Sequence, residues 1–341
     1  MVGAGATGGY FGARLQEAGR DVTFLVRPRR ADVLRERGLR ITGLGAQTVL
    51  TPRLVTAPDL DADYDLVFVS VKAMTLPAAI EDMGRAVGAD TAVVPFLNGM
   101  AHMDALNEAF GPAAVLGGVA RVITAVADNG DIVQLAPLAD MVIGEQAGGV
   151  SERVGSIESV LFGAGFEVAV SPDIRTAMWH KWVFISTLGA LNTLVRGSVG
   201  EAVAAEGGDR LGPAIAAEVA TVSAAAGHPV PERTMQDIVA FMTRSGSTDT
   251  ASLYRDLVAG RPIEAEQIFG DLTTRARALG VATPLLDLAT LSLRVHDTRL
   301  ARQKSSAVPG RTAQPGITGA GPWGAGDVSA GQGRGVEQSV R

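Results

Sequence analysis

The chain has no cysteine. Disulfides, thiolate metal sites and cysteine nucleophiles are therefore excluded. Only four histidines occur in 341 residues, and none stands at ligand spacing from other His, Asp or Glu residues, so no metal is expected. Long apolar runs are missing too. The longest, residues 182–195, is interrupted by Ser186, Thr187, Asn192 and Thr193, and falls short of the ~20 apolar residues that span a bilayer. No charged segment followed by an apolar one opens the chain, so no signal peptide is read, no membrane partner is expected and a cytoplasmic protein is the default. Positive charge is not in surplus: 30 Lys and Arg against 36 Asp and Glu leave a net charge of -6. No basic face for nucleic acid follows from that balance.

Apolar residues make up 47% of the chain and charged residues 19%, ample for a core, and the length fits two domains. Up to residue 170, short apolar runs at 21–26, 66–71, 92–97, 114–117, 141–144 and 167–170 alternate with helical patterns. Such alternation predicts βαβ units and a mostly parallel sheet. From residue 171 the pattern is helical, at 173–195, 212–226, 231–244, 248–259, 264–279 and 284–301, with Gly227, Gly260 and Gly280 as stop signals. The expected fold is therefore α/β: a Rossmann-type doubly wound sheet over 1–170, then an all-helical domain over 171–302. The tail 303–341, with nine glycines and three prolines, reads as disordered.

Gly3, Gly5 and Gly8 form a G-x-G-x-x-G, followed by the helical face Phe11, Leu15 and Ala18, by Gly19, and by the apolar run Val22–Val26. In a dinucleotide-binding turn the first glycine permits the bend, the second admits a pyrophosphate and the third lets helix and strand pack closely. The helix start, with Ala6 and Thr7, offers free N–H groups and a favourable dipole. In a chain with 42 glycines the motif alone is weak; its setting between apolar runs strengthens it. Only Met1 and Val2 precede Gly3, where the first strand of such a fold needs about five residues. A start further upstream, or a shortened form with impaired stability and cofactor affinity, is the expectation. At the end of the second run stands Arg27, with Arg29 and Arg30 behind it, where an NAD-specific protein places Asp or Glu. A guanidinium suits a 2′-phosphate, so NADP is the expected cofactor.

Nicotinamide chemistry needs from the protein a proton donor, a carbonyl polariser and a carboxylate-binding group. Three places offer them. Lys72 ends the strand 66–71, at the edge where doubly wound sheets bind ligands. Asn98 ends the strand 92–97, in an Asn-Gly sequence that by itself is an ordinary turn. Lys181 lies among Met178, Trp179, Trp182, Val183, Phe184 and Ile185, surroundings that lower a lysine's pKa toward a useful range if it is enclosed. It could equally snorkel to solvent. His180 reads as a helix-face histidine.

These stretches together resemble the ketopantoate reductases, which reduce 2-dehydropantoate to pantoate with NADPH. The resemblance covers about residues 1–300, through the glycine loop running into Gly12-Ala13-Arg14-Leu15, Phe24-Leu25-Val26-Arg27, Val71-Lys72-Ala73, Leu97-Asn98-Gly99-Met100, Trp179-His180-Lys181, and Ser252 with Glu264 twelve residues on. It implies that Arg27 contacts the 2′-phosphate, that Lys72 and Asn98 sit on the cofactor and substrate sides, and that Lys181 is the general acid. It further implies that Ser252 holds the substrate carboxylate and that Glu264 orients the lysine or the substrate hydroxyl; Lys181 and Glu264 would then titrate as a coupled pair. Glu264 following Pro262 also fits a plain helix cap, and Asp256 a solvated helix face. The chain departs from the family at Ile185 and Gly189, where many members carry asparagines, four and eight residues after the lysine. Asn192, on the same helical face, is the expected replacement, and a 2-keto acid more apolar than ketopantoate suits this face. Other readings are a 3-hydroxy acid dehydrogenase, which also joins a Rossmann domain to helices and uses a lysine, and an NADP-binding sensor without turnover. The helical half is also where a homodimer would form.

Overall fold

A computed structural model describes residues 1–306, with side chains described to residue 303. The expected disorder of 303–341 is wrong for residues 303–306, which end the last helix, and otherwise lies outside the described residues. Residues 1–300 make one compact unit.

The glycine loop opens into α1 (Ala6–Glu17). There follow β1 (Thr23–Leu25), α2 (Pro28–Arg37), β2 (Leu39–Gly43), β3 (Ala46–Leu50), β4 (Arg53–Val55), β5 (Leu66–Val69), α3 (Leu76–Met83), β6 (Ala92–Pro95) and α4 (Ala101–Phe110). Then come β7 (Gly117–Val126), β8 (Ile132–Gly144), α5 (Glu152–Leu161) and β9 (Glu167–Val170). β1 pairs parallel with β4, and β5 with β6. Val2 joins the two pairs: it bridges Leu25 on one side and Val69 on the other, with its N–H donating to Phe68 O at 2.7 Å and Ser70 N–H donating to its carbonyl at 3.0 Å. With Met1 O accepting from Leu25 N–H at 2.9 Å and Gly3 N–H donating to Leu25 O at 3.0 Å, residues 1–3 fill the middle of this sheet.

The expectation of a mostly parallel sheet holds for this part only. β2 and β3 form an antiparallel hairpin; the run 114–117 bridges β6 in parallel through Val115 and leads into the long strand β7, which pairs antiparallel with β8, the strand that ends with the run 141–144. β8 also pairs parallel with β2 near its start and with β9 near its end. The hairpin was hidden because its exposed, polar strand β3 (Ala-Gln-Thr-Val-Leu) presents no apolar run.

The helical half starts with α6 (Ile174–Val195), capped by the Asp173 carboxylate accepting from Thr176 N–H at 3.2 Å. α7 (Val199–Ala204), α8 (Leu211–Ala225), α9 (Glu232–Met242), α10 (Ser252–Val258), α11 (Asp271–Ala278) and α12 (Pro284–Ser306) follow. A π-helical turn, Glu266–Gly270, leads into α11. Gly227, Gly260 and Gly280 all have positive φ, as helix stops require. α6 is buried along most of its length because α8 packs along it and β7 and α10 flank it. One core lies between α1, α5 and the sheet; a larger one runs from the opposite sheet face (Val2, Val67, Val93, Val119) into the helices (Trp182, Leu191, Phe269). No helix among the described residues is long and apolar enough to cross a membrane.

Candidate active site

The loop at the start of α1 has the geometry of a phosphate cradle. Gly3 has φ of +93°, and a Cβ there would lie 2.7 Å from Ser70 O. A Cβ at Gly8 would lie 2.4 Å from Gly3 O, so close packing demands glycine at both positions. Gly5 differs: its φ is -88°, and a Cβ would meet nothing within 4 Å. The described residues leave the space in front of Gly5 free. Gly5 is also the N-cap, and among the described residues no hydrogen bond claims the N–H groups of Ala6, Thr7 and Gly8 at the start of α1. This loop fits a pyrophosphate.

Arg27 caps α2, is exposed, and has no side-chain partner among the described residues. Arg30, by contrast, supports the loop: its Nη2 donates to Ala4 O at 3.1 Å and to Gly130 O at 3.2 Å.

A small cleft opens between the ends of β6 and β7 and one face of α6. Its walls are Leu97, Asn98, Gly99, Gly118, Val119, Met178, Lys181, Trp182 and Ile185. Lys181 and Asn98 thus meet, as their positions at strand end and helix face imply. The Asn98 amide has no hydrogen-bond partner among the described residues. Lys181 Nζ donates to Ala120 O at 3.0 Å. Enclosure of this ammonium pushes its pKa down from 10.5 to about 8. Asp140 opposes that shift, Arg121 adds to it, and Glu264 opposes it more weakly than Asp140.

The C-terminal wall is latched to the sheet. Glu264 Oε1 accepts from Ala73 N–H at 2.8 Å, and Asp256 Oδ2 accepts from Lys72 Nζ at 3.0 Å while its Oδ1 takes Arg261 Nε at 2.8 Å. A Cβ on Gly99, whose φ is +80°, would lie 2.2 Å from Gln267 O, so glycine permits this close approach. The Glu264 carboxylate therefore bonds to the backbone beside Lys72 rather than to Lys181, while its carbonyl accepts from Ile268 N–H at 3.1 Å where the helical segment begins at Ala265. Asp256, read as a solvated helix face, is an ion-pair hub.

One expectation is corrected. Asn192 does not replace the missing asparagines: it is fully buried, its Nδ2 donates to Gly197 O at 2.8 Å, and its Oδ1 accepts from Ala251 N–H at 2.8 Å. With both ends of the amide held by backbone, it fixes the start of α10. Ser252, next to that anchor, lies on the exposed first turn of α10, outside the cleft walls, with its hydroxyl unpartnered among the described residues. The loss of asparagine at 189 has a visible counterpart, because the Phe269 ring lies 3.0 Å from where a Cβ on Gly189 would be.

Beyond the cleft walls, Lys181 feels charged and polar residues that sequence reasoning passed over. Arg121 and Asp140 face each other across β7 and β8, with Nε to Oδ1 at 2.7 Å. Strand alternation would have shown that Arg121 shares a face with Val119, had the long strand been recognised. His102, on α4, is 3% exposed and neither ring nitrogen has a partner. Burial, with the charge of Lys181 adding to it, pushes its pKa down to about 3, so the imidazole stays neutral. Among the described residues no His, Asp or Glu cluster could hold a metal.

With this geometry in view, the comparisons with known proteins fall into place. Residues 1–148 match the family model described as ketopantoate reductase PanE/ApbA, and residues 173–296 the one described as its C terminal. The chain belongs to the ketopantoate reductase family. The uncharacterized oxidoreductase YkpB of Bacillus subtilis (strain 168) is 32% identical over 297 residues, covering 87% of this chain and 98% of that protein. The 2-dehydropantoate 2-reductase structure from Geobacter metallireducens GS-15 superposes with a TM-score of 0.79 at 26% identity, covering 86% of this chain and 98% of that one. A D-mandelate dehydrogenase with NADH and anilino(oxo)acetate shares the fold, at a TM-score of 0.78 and 21% identity, covering 88% and 100% of the two chains. The family is one of oxidoreductases, and its fold is the α/β sheet half followed by helices seen here.

Proposed function

We propose that the protein reduces a 2-keto acid to the 2-hydroxy acid with NADPH, with Lys181 as general acid and 2-dehydropantoate as the first substrate to test, which would place it in pantothenate biosynthesis. The observation that carries this is the enclosed Lys181 ammonium at the wall of a cleft shared with Asn98, its pKa lowered to about 8. A lysine so placed is still largely protonated at neutral pH and gives its proton up readily.

A nicotinamide cofactor, when bound, supplies the hydride. Gly3, Gly5 and Gly8, with the N–H groups of Ala6 and Thr7, would hold its pyrophosphate, and exposed Arg27 would take the 2′-phosphate. Lys72 and Asn98 flank the nicotinamide side, and Asn98 donates to the substrate's polar groups. Lys181 holds a proton at Nζ and delivers it to the carbonyl oxygen as charge develops there. Glu264 keeps the 72–73 segment in place and adds a negative charge that favours the protonated lysine. Ser252 offers a hydroxyl to the carboxylate. Residues 1–170 act as the cofactor domain and 171–302 as the substrate and dimerisation domain of a cytoplasmic protein.

Ile185 and Gly189 favour a second substrate: a branched or aromatic 2-keto acid, whose side chain would lie against Ile185 and Trp182. The test is NADPH and NADH oxidation with 2-dehydropantoate and a panel of branched 2-keto acids, for the wild type and Lys181→Ala. Turnover that the substitution abolishes supports the reading. Tight cofactor binding without turnover on any of these acids would replace it with the sensor.

A further inference from the structure

Helix α6 faces the cleft with Ile185 and no side chain at Gly189, so it offers no amide to an anionic substrate. Strand β7 offers a charge instead. Val119 forms part of the cleft wall and belongs to the core shared with α6, whereas Ala120 packs on the α1 side. Side chains alternate along a strand, so Arg121 projects on the Val119 side, two residues further along β7. The carbonyl between these two residues is the one that accepts from Lys181 Nζ.

The guanidinium is held by one edge only. Asp140, directly opposite in register and with a side chain 12% exposed, takes Arg121 Nε at 2.7 Å. The two terminal amino groups have no partner among the described residues, and the side chain is 59% exposed. The neighbouring cations are engaged differently: Lys72 and Arg261 share Asp256. Ser252 supplies a hydroxyl but no charge. A guanidinium fixed through Nε presents its remaining N–H groups as a fork that matches a carboxylate.

We propose that Arg121 binds the carboxylate of the incoming 2-oxo acid through its two terminal amino groups, with Asp140 as the positioning residue that fixes the guanidinium. This rests on the 2-oxo acid reading above and gives it a specificity determinant. A bound carboxylate would also offset the repulsion that Arg121 exerts on the Lys181 ammonium, so substrate arrival would favour the protonated acid.

The probe is oxamate, an unreactive 2-oxo acid mimic, titrated calorimetrically into the protein saturated with NADPH; uncharged oxamide is the comparison. Arg121→Gln is expected to weaken oxamate binding about 10- to 100-fold, while NADPH affinity and the thermal midpoint stay at wild-type values. Arg121→Lys, which keeps the charge but not the fork, is expected to recover part of the loss. Unchanged oxamate binding in Arg121→Gln would overturn the proposal. So would an equal loss of NADPH affinity, which would assign Arg121 to the cofactor, or a loss confined to Ser252→Ala. Failure of wild-type protein with NADPH to bind oxamate would overturn it as well. Arg121-dependent oxamate binding without turnover of any 2-oxo acid would leave this proposal standing and refute the function proposed above.

Discussion

Replacing Lys181 by methionine should stabilise the protein at neutral pH while removing activity. The ammonium is enclosed, and its pKa falls from 10.5 to about 8 chiefly through desolvation. At ~1.4 kcal/mol per unit, that shift corresponds to about 3 kcal/mol of folding free energy lost to keeping the charge inside. Methionine is unbranched and similar in length, so it fills the same space without the charge. It forfeits the hydrogen bond to Ala120 O, worth about 1 kcal/mol, which leaves a net gain of about 2 kcal/mol. The gain must depend on pH. Because the folded pKa lies below the unfolded one, the unfolded chain binds more protons between pH 8 and 10.5, and wild-type stability rises across that window. The advantage of the variant should therefore be full below pH 8, vanish between pH 9 and 10, and turn into a deficit of about 1 kcal/mol above pH 10.5, where only the lost hydrogen bond remains. Urea denaturation of both proteins at pH 7 and pH 10 reads this directly. A variant less stable than wild type at pH 7, or a difference that does not shrink with pH, would refute the reasoning.

The reductive kcat/KM should fall above about pH 8, as Lys181 loses its proton; Asp140→Asn removes the main charge that favours protonation and should move that fall to lower pH. Gly5→Ala should leave stability unchanged but weaken NADPH binding at least tenfold, because a Cβ there meets no protein atom and occupies the free space of the loop; Gly8→Ala should lower both stability and binding, its Cβ being 2.4 Å from Gly3 O. Equal melting temperatures for the two variants would contradict that contrast. Arg27→Asp should invert the preference for NADPH over NADH, by about 100-fold in relative kcat/KM, and an unaltered ratio would remove Arg27 from the 2′-phosphate site. Asn192→Ala should cost about 2–4 kcal/mol in urea denaturation, since Ala251 N–H and Gly197 O both lose their buried partner; a change under 1 kcal/mol would show that backbone shifts satisfy them.

Much of the fold was legible because its signals are local. The apolar runs at 66–71 and 92–97 are strands buried on both faces, and α6 begins one residue after Asp173 because that carboxylate caps it. The hairpin β2–β3 escaped notice because one exposed strand of mixed polarity carries no periodic pattern. β7 was missed past Gly117 and β8 read only at its end, because polar and small residues, such as Thr124, Gln134 and Ala136, interrupt their apolar character, and a bulge opposite Ile123 breaks the register. In the site, Gly3, Gly8, Asn98 and Lys181 lie where a strand end or helix face places them. Arg121 and Asp140 could not be paired from sequence, since only the antiparallel register of two unrecognised strands sets them opposite each other. Asn192 was misjudged for a similar reason: it shares a helix face with Lys181, but the segment carrying Ala251 covers it. The glycine at 189 could be seen as a departure; that Phe269 lies against it could not.

The claim on which the rest depends is that the Lys181 Nζ proton goes to the substrate. Its most direct test is chemical rescue of Lys181→Ala in NADPH oxidation with the best 2-keto acid, adding methylamine or ethylamine. The account predicts that the variant loses about 10²- to 10⁴-fold in kcat and regains a measurable part of it with added amine, in proportion to the protonated amine present. Wild-type kcat in Lys181→Ala without amine would contradict it.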